Sequence, residues 1–99
     1  DIGDKQIPGC MGCLQCKELG HCVMDDIVNE TAPLLKEADG VVIGSPVYYA
    51  SASGEVVAFL DRLFWLAGDD LRHKPAAAIA SNATKERCNS GAVLFKLMI

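Results

Sequence analysis

The chain has 99 residues, a net charge of -4 and a pI near 4.9, which allows one domain and leaves no room for a second core. The acidic balance argues against a nucleic-acid partner, because no basic footprint is available to neutralise phosphates. The longest weakly charged run, residues 38–55, is too rich in Gly, Ser and Pro to span a bilayer, and the start shows no secretion-signal pattern. We therefore expect a cytoplasmic protein without membrane association.

A block of cysteines stands near the start of the chain, in the sequence GCMGCLQCKELGHC. Its thiols belong to Cys10, Cys13, Cys16 and Cys22. The fifth cysteine, Cys88, stands alone. In a reducing cytoplasm, clustered thiols serve metal sites or redox chemistry rather than structural disulfides. An iron-sulfur cluster, free thiols and a zinc ion all stay open at this point, with disulfides least favoured.

The first long helix is predicted over residues 27–38, where apolar side chains recur near helical spacing. Asp25 or Asp26 is its predicted N-cap. Pro33 lacks the amide hydrogen that an interior turn needs, so we expect a kink or a fresh helix start capped by Thr31. Gly40 follows, and we expect it in the left-handed conformation that ends many helices.

A strand and a second helix come next. The run VVIG, residues 41–44, is largely β-branched without polar alternation, which predicts a strand buried on both faces of a parallel sheet. A helix is predicted over residues 54–67, with Ser53 as N-cap and Gly68 past its end. This helix is apolar on almost every side, so its second face needs another partner. The second face would serve self-association and consists of Val57, Phe59, Trp65 and Leu66.

Another apolar run, residues 76–80, follows Pro75 and ends in Ser81 and Asn82, and these flanking signals favour a strand. Residues 92–99 are apolar with one lysine and predict a further helix. This order of helices and strands is typical of an α/β fold with a doubly wound parallel sheet. Ligands of such sheets bind beyond the carboxyl ends of the strands.

The segment GSPVYYASASG, residues 44–54, occupies that position, between a predicted strand and the next helix. Its small residues let backbone amides approach the polar edge of a ring closely, and Tyr48 or Tyr49 can cover an apolar face. A planar heteroaromatic cofactor suits this segment. The alternative is an ordinary connecting loop whose tyrosines fill the core.

Together these segments resemble a known family. The cysteine block, EADGVVIGSPVYY and KPAAAIAS look like the flavodoxin-like NAD(P)H-dependent FMN reductases, and within them the iron-sulfur flavoproteins, over residues 1–81. The resemblance implies a flavodoxin-like, three-layer fold, noncovalently bound FMN and NAD(P)H as electron donor. The residues that it implies around the isoalloxazine ring are Ser45, Pro46, Val47, Tyr48, Tyr49, Ser81 and Asn82. It also implies a [4Fe-4S] cluster near the flavin and close to a subunit interface, held by Cys10, Cys13, Cys16 and Cys22.

The chain departs from the family pattern in three places. The family's N-terminal strand with its Ser/Thr-rich phosphate loop is missing, and so are its last strand and helix. After Ser81 the chain has NATKERCNSG, where the family has an arginine-containing stretch. Residues 1–99 are therefore expected to be the central part of one flavodoxin-like domain, incomplete at both ends. If these 99 residues are the whole chain, flavin affinity is expected to be weak, because the phosphate loop is absent.

The cysteine spacing favours an iron-sulfur cluster over zinc. Cluster ligation uses C-x2-C-x2-C with a fourth cysteine nearby, and Gly20 can turn the chain before Cys22. Structural zinc usually pairs two C-x2-C knuckles across a long loop, which this block lacks. His21 is expected to be a solvated loop residue rather than a ligand.

We therefore predict an FMN-dependent oxidoreductase in which electrons pass between a flavin and a [4Fe-4S] cluster, with no catalytic side chain of its own. The expected partners are a small-molecule or ferredoxin-like redox partner and further copies of the chain in a homodimer or tetramer. One alternative is an NAD(P)H-dependent FMN or quinone reductase without a cluster. The other is a zinc-stabilised module without enzymatic activity.

Overall fold

The structure, a computed structural model, describes residues 1–49 and 51–81. Its elements are α1 (Cys16–Leu19), α2 (Ile27–Glu37), β1 (Val41–Pro46), α3 (Gly54–Ala67), a 3-10 helix (Gly68–Leu71) and β2 (Ala76–Ser81). The helix predicted over residues 92–99 lies outside the described residues, as does Asn82. None of the described helices is long and apolar enough to cross a membrane.

The two strands form a parallel sheet. Val41 of β1 lies opposite Ala76 of β2, and Pro46 lies opposite Ser81. Parallel neighbours need a crossover connection, which α3 supplies. This β-α-β unit confirms the predicted α/β class with a parallel sheet, and it places the carboxyl ends of both strands at one edge.

The core lies between the helices and one face of the sheet. A first cluster joins the two long helices and consists of Val28, Leu35, Leu63 and Ala67. A second cluster joins α3 to the sheet, where Val56 and Leu60 pack against Ile43 and Ala78. Phe59 contacts both clusters, so α3 is the central element of the described core.

The opposite face of the sheet is exposed. Val42 keeps 66% and Ile79 keeps 62% of its surface accessible, and burial alternates along both strands. The prediction of a strand buried on both faces was therefore wrong for the described residues. The physical reason is that α2 and α3 pack on the same side of the sheet.

Asp26, one of the two predicted candidates, is the N-cap of α2, because its carboxylate accepts a hydrogen bond from the Val28 amide. Thr31 does not start a new helix. Its hydroxyl donates to the Ile27 carbonyl at 2.8 Å, and α2 continues through Pro33. An interior proline costs about 3 kcal/mol, and burial of Val28 and Leu35 in the core offsets this cost at about 2 kcal/mol for each side chain.

The helix α3 has the predicted bounds, and Ser53 caps it by accepting from the Val56 amide. Its expected second apolar face is partly covered. Phe59 and Leu66 pack against the core cluster shared with α2, whereas Trp65 remains 48% exposed. The sequence could not show this, because the covering surface belongs to another helix.

The end of α2 differs from expectation at Gly40. Within the described residues, the glycines with a left-handed backbone are Gly12 and Gly20, and Gly40 is not among them. A Cβ atom on Gly40 would instead lie 3.1 Å from the Pro75 carbonyl oxygen. Glycine therefore allows the segment before β2 to approach closely at this position.

Candidate functional site

The loop after β1 is held closed by hydrogen bonds from its own serines. The Ser45 hydroxyl accepts from the Ser53 amide at 2.9 Å and donates to the Pro46 carbonyl at 2.8 Å. Val47 and Ala52 form an antiparallel bridge. These contacts join residues 45–47 to residues 52–53 and close the base of the loop, which we call its neck. The tip of the loop lies beyond the neck, at the carboxyl edge of the sheet.

Both tyrosines of the tip are exposed, Tyr48 by 74% and Tyr49 by 82%. The alternative interpretation, in which they fill the core, is wrong. Tyr48 lines a pocket of about 320 Å³ whose other walls include Pro46 and Val56. This volume is at the lower end of the range for small-molecule sites. An aromatic side chain thus lines a pocket of mixed polarity, with Ser53 and Glu55 among its walls, at the position where doubly wound sheets bind ligands.

The end of β2 lies against the same loop. The Val47 amide donates to the Ser81 carbonyl at 2.7 Å, and Ser81 pairs with Pro46 across the sheet. The Val47 side chain is buried, so this residue holds the loop to β2. The structure accordingly brings together six of the predicted ring-lining residues, namely Ser45, Pro46, Val47, Tyr48, Tyr49 and Ser81.

The cysteine block forms a second site, in which four free thiols line one pocket. The thiols are those of Cys10, Cys13, Cys16 and Cys22. The other lining residues are Met11, Leu14, Val23, Met24, Arg62 and Trp65. Within residues 1–49 and 51–81, no three His, Cys, Asp or Glu side chains are grouped as ligands of a single metal ion. The thiols therefore surround a common space without the close grouping that one ion requires.

The backbone of this block turns sharply at three positions. Gly12 has a φ of 70°, Leu14 of 61° and Gly20 of 77°. Gly20 ends the short helix α1 in the left-handed conformation, so the turn predicted before Cys22 is confirmed. Leu14 carries a side chain in a region that costs such residues about 1–2 kcal/mol. The surrounding contacts must therefore stabilise the block.

Arg62 supplies many of these contacts, although no role was predicted for it from the sequence. This arginine of α3 is 2% exposed. It donates to both carboxylate oxygens of Asp26 at 2.7 and 2.8 Å, to the Pro8 carbonyl at 3.2 Å and to the Met24 carbonyl at 3.0 Å. It also donates to the Cys22 sulfur at 3.4 Å. One guanidinium thus joins α3, the N-cap of α2 and both flanks of the cysteine block.

The charges of this network stabilise each other. Burial alone would raise the pKa of the Asp26 carboxyl, but hydrogen bonds from Arg62 and from the Val28 amide, with the Arg62 charge, hold that pKa below its usual value. The hydrogen bonds to Asp26 raise the pKa of Arg62 despite its burial, and Cys22 adds to this effect. Arg62 is therefore a permanent cation beside the cysteine pocket.

Cys22 is fixed a second time through its backbone. The Asn29 side chain accepts from the Cys22 amide at 2.7 Å and donates to the Cys22 carbonyl at 2.9 Å. His21 is exposed, and its Nδ1 lies 3.1 Å from the same carbonyl. Cys22 is thus held by its backbone and its sulfur, which identifies it as the anchored cysteine of the block.

Trp65 of α3 also lines the pocket. Trp65 was expected on the self-association face of α3, and the structure places it in the wall of the cysteine pocket. The Lys17 ammonium lies 5.3 Å from the centre of its ring, within the range of a cation–π contact. This contact links α1 to α3.

The residues that line this pocket are chemically suited to an iron-sulfur cluster. Four thiols are the usual ligand set of such clusters. The Arg62 Nε atom is buried and has no hydrogen-bond partner in the described part of the chain, so an electron-rich anionic group beside it would offset the cost of an unpaired donor. The pocket measures about 30 Å³, close to the volume of one water molecule. Cys10 and Cys13 are exposed, so these two of the four ligands are the least constrained by packing if a larger group binds.

A family model described as NADPH-dependent FMN reductase matches residues 1–94. The chain belongs to the NADPH-dependent FMN reductase family. This match confirms the resemblance and the flavodoxin-like character of the α/β fold. No solved structure matches the chain.

Curated relatives narrow the resemblance to one branch of that family. An iron-sulfur flavoprotein of Methanocaldococcus jannaschii is 40% identical over 85% of this chain and 44% of its own length. One of Clostridioides difficile is 32% identical over 82% of this chain and 36% of its length. One of Methanosarcina thermophila is 27% identical over 85% of this chain and 45% of its length. The chain therefore spans less than half the length of these relatives.

Proposed function

We propose that this chain contributes the ring-binding loop and the cluster ligands of an FMN-dependent oxidoreductase, with electrons passing between FMN and a [4Fe-4S] cluster. The observation that carries the proposal is the convergence of four cysteines on one pocket in a member of a flavin reductase family. The names of the relatives support the same combination of cofactors.

When bound, FMN would exchange two electrons with a nicotinamide donor and release them singly, while a cluster would carry one electron at a time. The chain's own contribution is to bind and to shield. Tyr48 and Tyr49 can cover an apolar ring face, and the exposed position of both rings supports this role. The bonds of Ser45 keep the neck of the loop closed beneath them.

The cysteine site would supply ligands and exclude water. Cys10, Cys13, Cys16 and Cys22 provide the thiolates. The apolar side chains of Met11, Leu14 and Trp65 line the same pocket and would limit solvent access, which is one determinant of a cluster's potential. We propose NAD(P)H as the electron donor, a small-molecule or ferredoxin-like acceptor, and a homodimer or tetramer in the cytoplasm as the working form.

The test is anaerobic purification of the full-length gene product, followed by an absorbance spectrum and by iron, sulfide, zinc and FMN assays. About four irons per chain together with FMN is the expected result, because four thiolates hold one cubane. Cys22→Ala should lose most of the iron, whereas Cys88→Ala, the matched control outside the block, should retain it.

Two other outcomes would contradict the proposal. FMN without iron would point to an NAD(P)H-dependent FMN or quinone reductase without a cluster. Zinc without flavin would point to a metal-stabilised module and would contradict any redox function.

A further inference from the structure

One cysteine of the block differs from the others in its electrostatic surroundings. Among the described residues, Cys22 is the only member of the block whose sulfur accepts a hydrogen bond from a cationic side chain. The donor, Arg62, is 2% exposed. A charge-assisted hydrogen bond is stronger in such a water-poor place than at the surface.

The same arginine contacts the backbone on both sides of the cysteine block. It contacts the carbonyl of Pro8, two residues before the first cysteine, and the carbonyl of Met24, two residues after the last. The block is therefore held to α3 at both flanks and at the Cys22 sulfur, whereas Cys10 and Cys13 face solvent.

A cation that donates to a thiolate ligand acts differently on the two redox states of a cluster. Reduction adds one negative charge, part of which resides on the sulfur ligands. A nearby positive donor stabilises the reduced state more than the oxidised state and raises the reduction potential. Hydrogen bonds to the sulfurs and net charge are recognised determinants of cluster potentials.

We propose that Arg62 positions Cys22 as the fixed ligand and raises the reduction potential of the cluster that the four cysteines hold. This inference rests on the proposed function. Arg62 is a positioning residue, because it acts through Cys22 and is not itself a ligand.

The neighbouring contacts provide variants that separate position from charge. Asn29 fixes the same cysteine through two uncharged hydrogen bonds to its backbone. Asp26 supplies the negative charge that faces Arg62. Arg72 is an arginine on the surface, with a side chain 73% exposed. Replacing Asn29 changes the position of Cys22 without changing the charge, replacing Asp26 changes the charge beside a retained Arg62, and replacing Arg72 removes a positive charge that is distant from the network.

The experiment is an anaerobic redox titration of the native protein, followed by electron paramagnetic resonance, together with iron and sulfide analysis. Arg62→Gln should shift the cluster potential to a more negative value, and Arg62→Lys should shift it less, because the charge is retained. Asp26→Asn should shift it in the opposite direction, since it removes a negative charge and keeps Arg62. Asn29→Ala should lower the iron content without moving the potential of the clusters that remain, and Arg72→Gln should change neither.

An unchanged potential in Arg62→Gln would overturn the inference, as would equal shifts in Arg62→Gln and Asn29→Ala. If Arg62→Gln does not fold, the opposite signs expected for Arg62→Lys and Asp26→Asn decide the question, and shifts of the same sign would overturn it. A wild-type protein without iron would instead overturn the proposed function, and this inference with it. The iron content of the wild type therefore tells the two failures apart.

Discussion

The two candidate sites of this chain are built in different ways. The loop over residues 45–53 is closed by bonds of its own, such as that of Ser45 with Ser53, eight residues apart. The cysteine block is fixed from outside, by an arginine that lies 54 residues after Pro8 and 36 after Asp26. A locally closed loop can be predicted from a short segment, whereas an externally fixed one depends on the whole fold.

The largest effect is expected where Arg62, which holds the cysteine block, loses its counter-charge. Asp26→Asn leaves Arg62 buried without a counter-charge, while asparagine can still cap α2. We expect a loss of about 3 kcal/mol in the free energy of unfolding, measured by urea denaturation. The matched control is Asp25→Asn at the exposed neighbouring carboxylate, which should change stability by less than about 0.5 kcal/mol. Equal effects of the two variants would contradict a specific role for the buried pair.

The same pair predicts a dependence on pH. The pKa of Asp26 is lower in the folded state than in the unfolded state, so its ionised form stabilises the fold above the unfolded pKa of about 4. This stabilisation is lost as the pH falls through the folded-state pKa. In urea denaturation between about pH 6 and about pH 3, the stability gap between wild type and Asp26→Asn should narrow on acidification. A constant gap would show that Asp26 acts through its shape alone.

Opening the neck of the loop after β1 should lower the free energy of unfolding by less than Asp26→Asn does. Ser45→Ala removes the acceptor of the buried Ser53 amide, and an unsatisfied buried donor costs about 1–3 kcal/mol. Ser51→Ala, in the same loop, is the control and should stay within about 0.5 kcal/mol of the wild type. Denaturation midpoints of both variants provide the measurement. If Ser45→Ala proves neutral, the neck does not depend on this hydroxyl.

Within the cysteine block, each left-handed turn is expected to contribute separately to the stability of the fold. Gly12→Ala places a Cβ atom at a φ of 70° and should cost about 1–2 kcal/mol. Gly9→Ala is the matched control, because its Cβ would have no neighbour within 4 Å and its φ is ordinary. Unfolding free energies and iron content would be compared. Loss of iron in both variants alike would contradict a requirement for this particular turn.

The smallest effect is expected at the tip of the loop. Tyr48→Ala removes an exposed ring beside the 320 Å³ pocket. It should weaken FMN binding about 3- to 10-fold, the equivalent of one aromatic contact, with little change in stability. Flavin titration of the full-length apoprotein measures this, and Val42→Ala, exposed on the open sheet face, serves as control. Unchanged affinity in Tyr48→Ala would remove this residue from the proposed flavin site.

The parts of the fold that were predicted correctly follow from local signals. Ser53 marks the start of α3, and the run before Ser45 forms β1. The topology rule for parallel sheets then places the tyrosine loop and Ser81 at one edge. The role of these residues toward FMN stays a prediction.

The missed features involve contacts between distant segments. Gly40 depends on the approach of Pro75, and Arg62 depends on partners in three other segments. A lone arginine in a helix that is apolar on almost every side was a usable signal, because a buried guanidinium needs acidic or carbonyl partners. The partner itself could not be named, since spacing along the chain does not determine which carboxylate lies nearby.

The exposed face of the sheet has a thermodynamic consequence. Val42 and Ile79 lie on that face, with most of their surfaces accessible to water. Any segment of a longer chain or second copy that covers them removes apolar area from water and lowers the heat capacity of the native state. The heat-capacity change of unfolding, measured by calorimetry, should therefore increase with the area of this face that is covered.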